Sequence, residues 1–318
     1  MTQLSRRKFS TELQKEVFPD NLFINQSRTE GGIAPDVENV DIPVSGSVSK
    51  AKSGDPETLP LQITAREDTF KSYPVEQLYT EPQLIRNEEQ IVLNYNKLQD
   101  LAQSLSLSIN TRAGDIAATN WGATLATNIS QTTGTGTGNT RASTVTGTTG
   151  DRRRITKLDM LTVKRAFNKM NLPNLGKGSL YGLLTPEMVE DLLLIPEFVD
   201  YDKTGEISKL QNGEIAFIAG FNLMMRNSDI GSTGVMYSEA TTPVKRTVDE
   251  AIAATDNAAA IFWHKSMVRN AQGNAAKFID RDKPEYLGGT LISSVVRFGA
   301  TFDRPDQKGI YTLVEDNA

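Results

Sequence analysis

From Pro82 to Leu125 the chain reads PQLIRNEEQIVLNYNKLQDLAQSLSLSINTRAGDIAATNWGATL, and the fold turns on how this stretch is read. Leu84, Ile91, Leu98 and Leu105 recur at heptad spacing, with Glu88, Tyr95, Ala102 and Ile109 as the adjacent row, which makes one helical face largely apolar. The other face carries Asn87, Glu89, Asn94, Lys97, Asp100 and Gln103. Pro82 suits a first helical turn, and Glu88 and Glu89 favour the positive end of the helix dipole. Nothing stops the pattern before Gly114, and Ala117, Trp121 and Leu125 continue it. At 1.5 Å per residue such a rod is roughly 40 to 60 Å long, more than a compact domain needs, so other parts must cover it. Periodicity alone leaves open a second reading, a helix broken at Gly114 inside an ordinary bundle.

The chain has 318 residues, enough for a real core and about two subdomains, with hydrophobic content of 38%, at the low edge of the globular range. No cysteine is present, which removes disulfides, thiolate metal sites and cysteine nucleophiles together. A formal charge of −5 argues against a general nucleic-acid binder, because counterion release needs a concentrated basic face. The basic clusters are local, at Arg6-Arg7-Lys8 and Arg152-Arg153-Arg154. No apolar run approaches a membrane span and no signal-peptide core follows the first basic residues, so the chain is expected to be made and assembled in a cytoplasm.

Outward from the rod, residues 1–36 form a polar arm holding a short amphipathic stretch, Phe9 to Phe18, with Leu13 and Val17 on one face and Ser10 as cap. An arm this poor in apolar residues cannot bury itself and is either disordered or laid on a partner. Val37 to Tyr79 reads as a long β-hairpin whose tip, Ser45 to Thr58, is turn chemistry. A two-stranded ribbon is marginal alone and should lie on something else. Thr132 to Gly150 is almost wholly Thr, Gly, Ser and Asn, with no evident means of packing. Thr156 and Asp159 open a helix that ends before Pro173; Leu180 to Leu184 is a strand; Thr185-Pro186-Glu187 starts a helix stopped at Pro196. Glu214 to Met225 alternates as one half-buried strand, and Thr242 to Asp256 is loop or short helix. Ala258 to Met267 fits strand or helix, while Leu291 to Phe302 and Gly309 to Val314 read as a strand pair closed by a short loop.

No constellation of catalytic residues survives the same pass. Asp202-Lys203-Thr204-Gly205 matches the tetrapeptide in which an aspartate accepts a phosphoryl group, but Glu206 replaces the usual threonine and an ordinary turn explains it better. Gly176-Lys177-Gly178-Ser179 resembles the tail of a phosphate-cradling loop without its first glycine and is read as a turn. Asp280, Asp282 and Glu285 are interrupted by Pro284 and read as a solvated charged loop. The single histidine, His264, cannot build a metal site or a Ser-His-Asp arrangement alone and is read as structural. Asn25-Gln26-Ser27 and Asn128-Ile129-Ser130 are glycosylation sequons only in a secreted chain.

The order of parts, together with Glu76-Gln77-Leu78-Tyr79-Thr80-Glu81-Pro82, Leu180-Tyr181-Gly182-Leu183-Leu184-Thr185-Pro186 and Gly213 to Asn222 running on to Arg226-Asn227-Ser228, resembles the major capsid proteins of tailed bacteriophages. Glu285 to Leu291 and Arg304-Pro305-Asp306-Gln307-Lys308-Gly309-Ile310 fit the same family, and the likeness spans roughly residues 36 to 315. The resemblance implies an α+β chain with the Hong Kong 97-like major capsid fold: N-terminal arm 1–36, extended loop 37–80, peripheral domain with spine helix and Thr/Gly-rich loop 81–171, axial domain 172–285, and C-terminal strands 286–318 returning to the peripheral domain. It implies no enzyme, cofactor or metal, and hexamers and pentamers of the chain forming an icosahedral head around double-stranded DNA, which is touched only non-specifically.

The expected inter-subunit contacts are Phe9, Leu13 and Val17 in the arm, Lys50, Lys52, Asp55 and Glu57 in the loop tip, Leu98 on the rod, and Arg152, Arg153 and Arg154. Only about 36 residues precede the hairpin, so a separate scaffolding protein, or none, is expected, with a portal, decoration proteins and no membrane as further expectations. Some relatives cross-link a loop lysine to a neighbour, but Lys50 and Lys52 are explained by solubility. Three rivals remain: a nanocompartment shell enclosing cargo enzymes, a tail-tube or adhesin subunit, and an enzyme phosphorylated on Asp202.

Overall fold

A computed structural model describes residues 21–33, 37–46, 48–51, 53–54, 65–85, 97–136, 138–143, 145, 147–173, 175–176, 178–196, 217–226, 235–239, 241–283 and 289–318. Its strands are β1 (Arg28–Ile33), β2 (Asn39–Val44), β3 (Thr69–Pro74), β4 (Glu76–Tyr79), β5 (Gln83–Ile85), β6 (Ile129–Gln131), β7 (Thr140–Ala142), β8 (Asp151–Arg153), β9 (Leu180–Leu184), β10 (Phe217–Ile218), β11 (Phe221–Met225), β12 (Met236–Tyr237), β13 (Asn257–His264), β14 (Val268–Gly273), β15 (Ala276–Lys283), β16 (Gly289–Phe302) and β17 (Ile310–Val314). The helices are α1 (Lys97–Trp121), α2 (Lys157–Lys169) and α3 (Pro186–Leu193). The chain is thus a mixed α+β protein.

A seven-stranded sheet in the order β10-β11-β9-β13-β17-β6, with β12 beside β13, is built on the run Asn257–His264. That run is buried at every position, because successive side chains face opposite sides and both sides are covered. Ala259, Ile261 and Trp263 join α1 and Phe23 on one face; Ala260 and Phe262 join α2 and α3 on the other. Trp263 lies 5.4 Å from Trp121 and stacks on Tyr181 at 6.0 Å, while Phe262, Phe221 and Phe167 pack edge to face. The alternative of a helix over 258–267 loses to this two-sided burial, apart from a 3-10 turn at Lys265–Met267.

The six-stranded sheet is organised on β16, with β14 and β15 along one edge and β4 and β5 along the other, and β1 outside β14. Val296, Phe298 and Ala300 face α1, so the rod lies across this sheet. The caps expected at Thr156 and Thr185 are present: Thr156 and Asp159 form a reciprocal capping box, and the Thr185 hydroxyl accepts from the Met188 amide at 3.4 Å.

Six expectations are corrected. Pro82 does not open the rod: Gln83-Leu84-Ile85 pair with Ile292, Leu291 and Thr290, so Leu84, read as part of the rod's apolar face, lies in a sheet strand instead, and α1 is described from Lys97. Gly114 does not break α1, and the helix ends at Trp121, short of Leu125. Glu214 to Met225 is not one strand, because Ala219 and Gly220 both adopt positive φ (49° and 90°) and turn β10 back onto β11. Leu291 to Phe302 and Gly309 to Val314 do not pair; β16 and β17 belong to different sheets, and the loop between them carries the chain across. Asp280 lies in strand β15 and not in a charged loop.

The sixth concerns Thr132 to Gly150, which does pack. Gly134 lets backbones approach closely: a Cβ there would lie 2.6 Å from the Arg154 carbonyl oxygen. Its threonines serve as hydrogen-bonding groups, with Thr132 Oγ1 donating to the Arg153 carbonyl at 2.8 Å and Thr133 Oγ1 donating to Asp159 at 2.8 Å.

Candidate functional site

Among the described residues, the ribbon β2–β3 packs on the rest of the chain at its root and is exposed beyond it. Its root is anchored by Ile42, Tyr73 and Val75 packed on Ala271. Lys71 donates to the Phe302 carbonyl and lies 3.3 Å from the centroid of the Phe302 ring. Burial pulls the Lys71 amine down to about 8, with Lys245 adding to the effect and Asp303 opposing it. Beyond the root the ribbon is open: Phe70 is 76% exposed and Val48 75%. Lys50 is exposed at the tip, as expected of a loop lysine, while Lys52, Asp55 and Glu57 lie outside the described residues.

The rod is held from one side by the start of the described chain. Asn21 Nδ2 donates to the Asn110 carbonyl at 2.7 Å, and a Cβ on Gly114 would come within 2.5 Å of Asn21 Cγ, so glycine is what lets the two segments meet. Arg226 joins them. Its guanidinium donates to Asp115 at 2.5 Å, to Asn21 Oδ1 at 3.0 Å and to the Thr111 carbonyl at 3.3 Å. Burial raises the Asp115 carboxyl, and Arg226 opposes that rise. Leu98 is half-buried, and the arm residues Phe9, Leu13 and Val17 lie outside the described residues.

The basic triplet is not an outward-facing cluster. Arg152 is 1% exposed and donates to the carbonyls of Thr149 (3.0 Å) and Asp256 (3.2 Å), so it reaches neither DNA nor a neighbour. The reason is local: β8 lies beside β7, strand alternation turns its middle residue inward, and the Thr149 and Asp256 carbonyls are there to receive it. Arg153 pairs with Asp316 at 2.9 Å and Arg154 with Asp191 at 3.6 Å, both partly exposed.

At the centre of this region Arg141 bridges Asp191 (3.2 Å) and Glu315. Burial works against the Arg141 charge, but the two acids outweigh it and hold the guanidinium above its ordinary value. Burial pushes Glu315 up to about 7, with Arg141 opposing and Asp191 reinforcing the rise. The result is a clamp between the Thr/Gly-rich loop, α3 and the last strand. Reasoning from sequence missed Arg141, Arg226 and Gln307, whose side-chain oxygen accepts from the amides of Thr124 and Leu125 at 2.9 and 3.1 Å. Arg226 and Gln307 stand in stretches that carry the family resemblance, with no role read for them, and Arg141 is a lone arginine inside a polar stretch.

Among the described residues no cluster of histidine and acids could hold a metal, and no helix is long and apolar enough to cross a membrane. Gly176 to Ser179 is a turn, in which the Ser179 hydroxyl donates to the Gly176 carbonyl at 2.7 Å. His264 is buried against the Ser266 hydroxyl at 2.8 Å. Asp202 to Gly205 lie outside the described residues.

A family model described as phage capsid protein matches residues 77–315. No curated protein matches by sequence. Among solved structures, the chain resembles that of Mycobacterium phage Che8 at 15% identity and TM-score 0.68, over 98% of each chain. It resembles the capsid of cyanophage P-SCSP1u at 16% identity and TM-score 0.69, over 99% of this chain and 94% of that one. The capsid of Ralstonia phage GP4 follows at 9% identity and TM-score 0.65, over 99% and 96%. These neighbours share the Hong Kong 97-like fold.

Proposed function

The chain belongs to the phage capsid protein family, and from that premise we propose that its copies close into hexamers and pentamers, building an icosahedral head that holds double-stranded DNA. It is a structural protein of the virion shell. The observation that carries the proposal is the ribbon β2–β3, anchored at its root and uncovered beyond it, with Phe70 76% exposed. Two strands alone are marginal in water, so a surface from elsewhere must support them. A contact of ribbon on neighbouring body is heterologous, and repeated by rotation it closes a ring. Many modest contacts per copy then hold a shell without one tight interface.

The same reading assigns the ribbon tip with Lys50, Lys52, Asp55 and Glu57, the arm residues Phe9, Leu13 and Val17, and Leu98 to contacts between copies. A separate scaffolding protein, a portal and decoration proteins are its further partners. DNA touches it non-specifically, assembly takes place in the host cytoplasm, and the chain performs no catalysis. The nanocompartment alternative has no observation in its favour. Negative-stain microscopy of the purified chain tests the reading: closed polyhedral shells are expected, and tubes, fibres or a persistent monomer at high concentration contradict it.

A further inference from the structure

The six-stranded sheet has two faces, and the chain covers them unequally. Val296, Phe298 and Ala300 of β16 face α1, so alternation turns Leu291, Ser293, Val295, Arg297 and Gly299 to the other side. At its Gly299 end this outer face is taken by the chain's own ribbon: Ile42, Tyr73 and Val75 pack on Ala271, the partner of Gly299, and a Cβ on Gly299 would lie 2.6 Å from the Pro74 carbonyl oxygen. Further along β16, the register puts Tyr79 and Ala276 on either side of Val295, and Phe278 beside Ser293. There the face is open, with Tyr79 70% and Phe278 59% exposed. Ala276, Phe278, Val295 and Arg297 line a hollow of about 270 Å³, and among its described lining residues Arg297 carries the only charge.

Among the described residues the exposed aromatic side chains are Tyr79, Phe278 and Phe70. Phe70 stands on the ribbon's far side. Ile42 and Tyr73 turn inward, and Lys71, opposite Ile42, reaches Phe302, so Asp41, Pro43, Phe70 and Ser72 share the outward face. Phe70 and Asp41 therefore cannot reach the sheet of their own chain unless the ribbon root lifts off it. The sheet of a second copy can receive them. Charge agrees with this. Asp41 is exposed and has no described partner, while Arg297 donates to the Val37 carbonyl at 3.1 Å and has guanidinium donors left over.

We propose that Phe70 of one copy seats in the hollow beside Phe278 and Tyr79 of the next, with Asp41 reaching Arg297. Aromatic side chains buried in such pockets carry most of an interface's energy. The proposal rests on the capsid reading above and adds to it the face of the body that takes the ribbon and the side chain that anchors it.

The test assembles shells from isotopically heavy full-length chain with a photoreactive phenylalanine at position 70, mixed with unmodified light chain; a second preparation carries the probe at position 278. Links from heavy position 70 to the light peptide holding Phe278 or Tyr79, and from heavy position 278 to the light peptide holding Phe70, are expected. Shells in which both probes link only within one copy, or only to other segments, overturn this proposal and leave the capsid reading standing. An unmodified chain that forms no shells overturns both. Phe278→Ala trims a side chain that is mostly in solvent, so the melting midpoint of the monomer is expected to hold while shell yield falls at least about tenfold; undiminished shells overturn the proposal.

Discussion

At the scale of single residues, Glu315 is the clearest case of a charge held against its preference. Its folded value near 7 stands above the ordinary 4.5, because burial disfavours the carboxylate more than Arg141 favours it. A raised carboxyl contributes stability that is full below the unfolded value and fades as pH rises through the folded one. Melting of the unassembled chain is therefore expected to weaken between about pH 4.5 and about pH 7, and Glu315→Gln is expected to flatten that slope; equal slopes in the two proteins count against the assignment. Arg152→Ala is expected to cost about 2 kcal/mol or more in urea denaturation, since it strands the carbonyls of Thr149 and Asp256. Lys50→Ala, at an exposed position, should shift the same midpoint by less than about 0.5 kcal/mol. The run Arg152-Arg153-Arg154 could not announce this difference, because three identical neighbours on a strand point alternately in and out only once a partner strand exists.

At the scale of elements, the caps at Thr156 and Thr185 and the strand at Leu180–Leu184 were legible because their signals are local. So was the ribbon, whose alternation and turn-rich tip lie within one stretch of chain. The start of α1 was not, because Leu84 and Ile85 have the same apolar character in either element and only pairing with β16 decides. The hairpin at Ala219-Gly220 hid for a similar reason: a two-residue turn preserves the alternation of a single strand. Trp121→Ala is expected to cost about 3 to 5 kcal/mol, as the side chain is wholly buried between Phe23 and Trp263; a cost under about 1 kcal/mol would mean the helix end is not part of the core. Deleting Ser45 to Thr58 should leave the melting of the monomer nearly unchanged and abolish shells, a contrast read by calorimetry and microscopy on one preparation.

At the scale of the whole molecule, the two sheets share one core through α1, yet the ribbon reaches beyond it. The six-stranded sheet could not be read from sequence, since β1 meets β14, and β4 and β5 meet β16, across long stretches of chain and no local pattern encodes such partners. The family resemblance supplied the architecture that periodicity could not, while its assignment of Arg152 to an outer contact failed on burial. What unites the exposed parts is that each needs a surface its own chain does not provide. The most direct test is a cryo-electron microscopy reconstruction of assembled shells in which the chain is traced through Val44 and Thr69. The account predicts the ribbon resting on the body of an adjacent copy; a ribbon folded back on its own body, with neighbours meeting elsewhere, would contradict it.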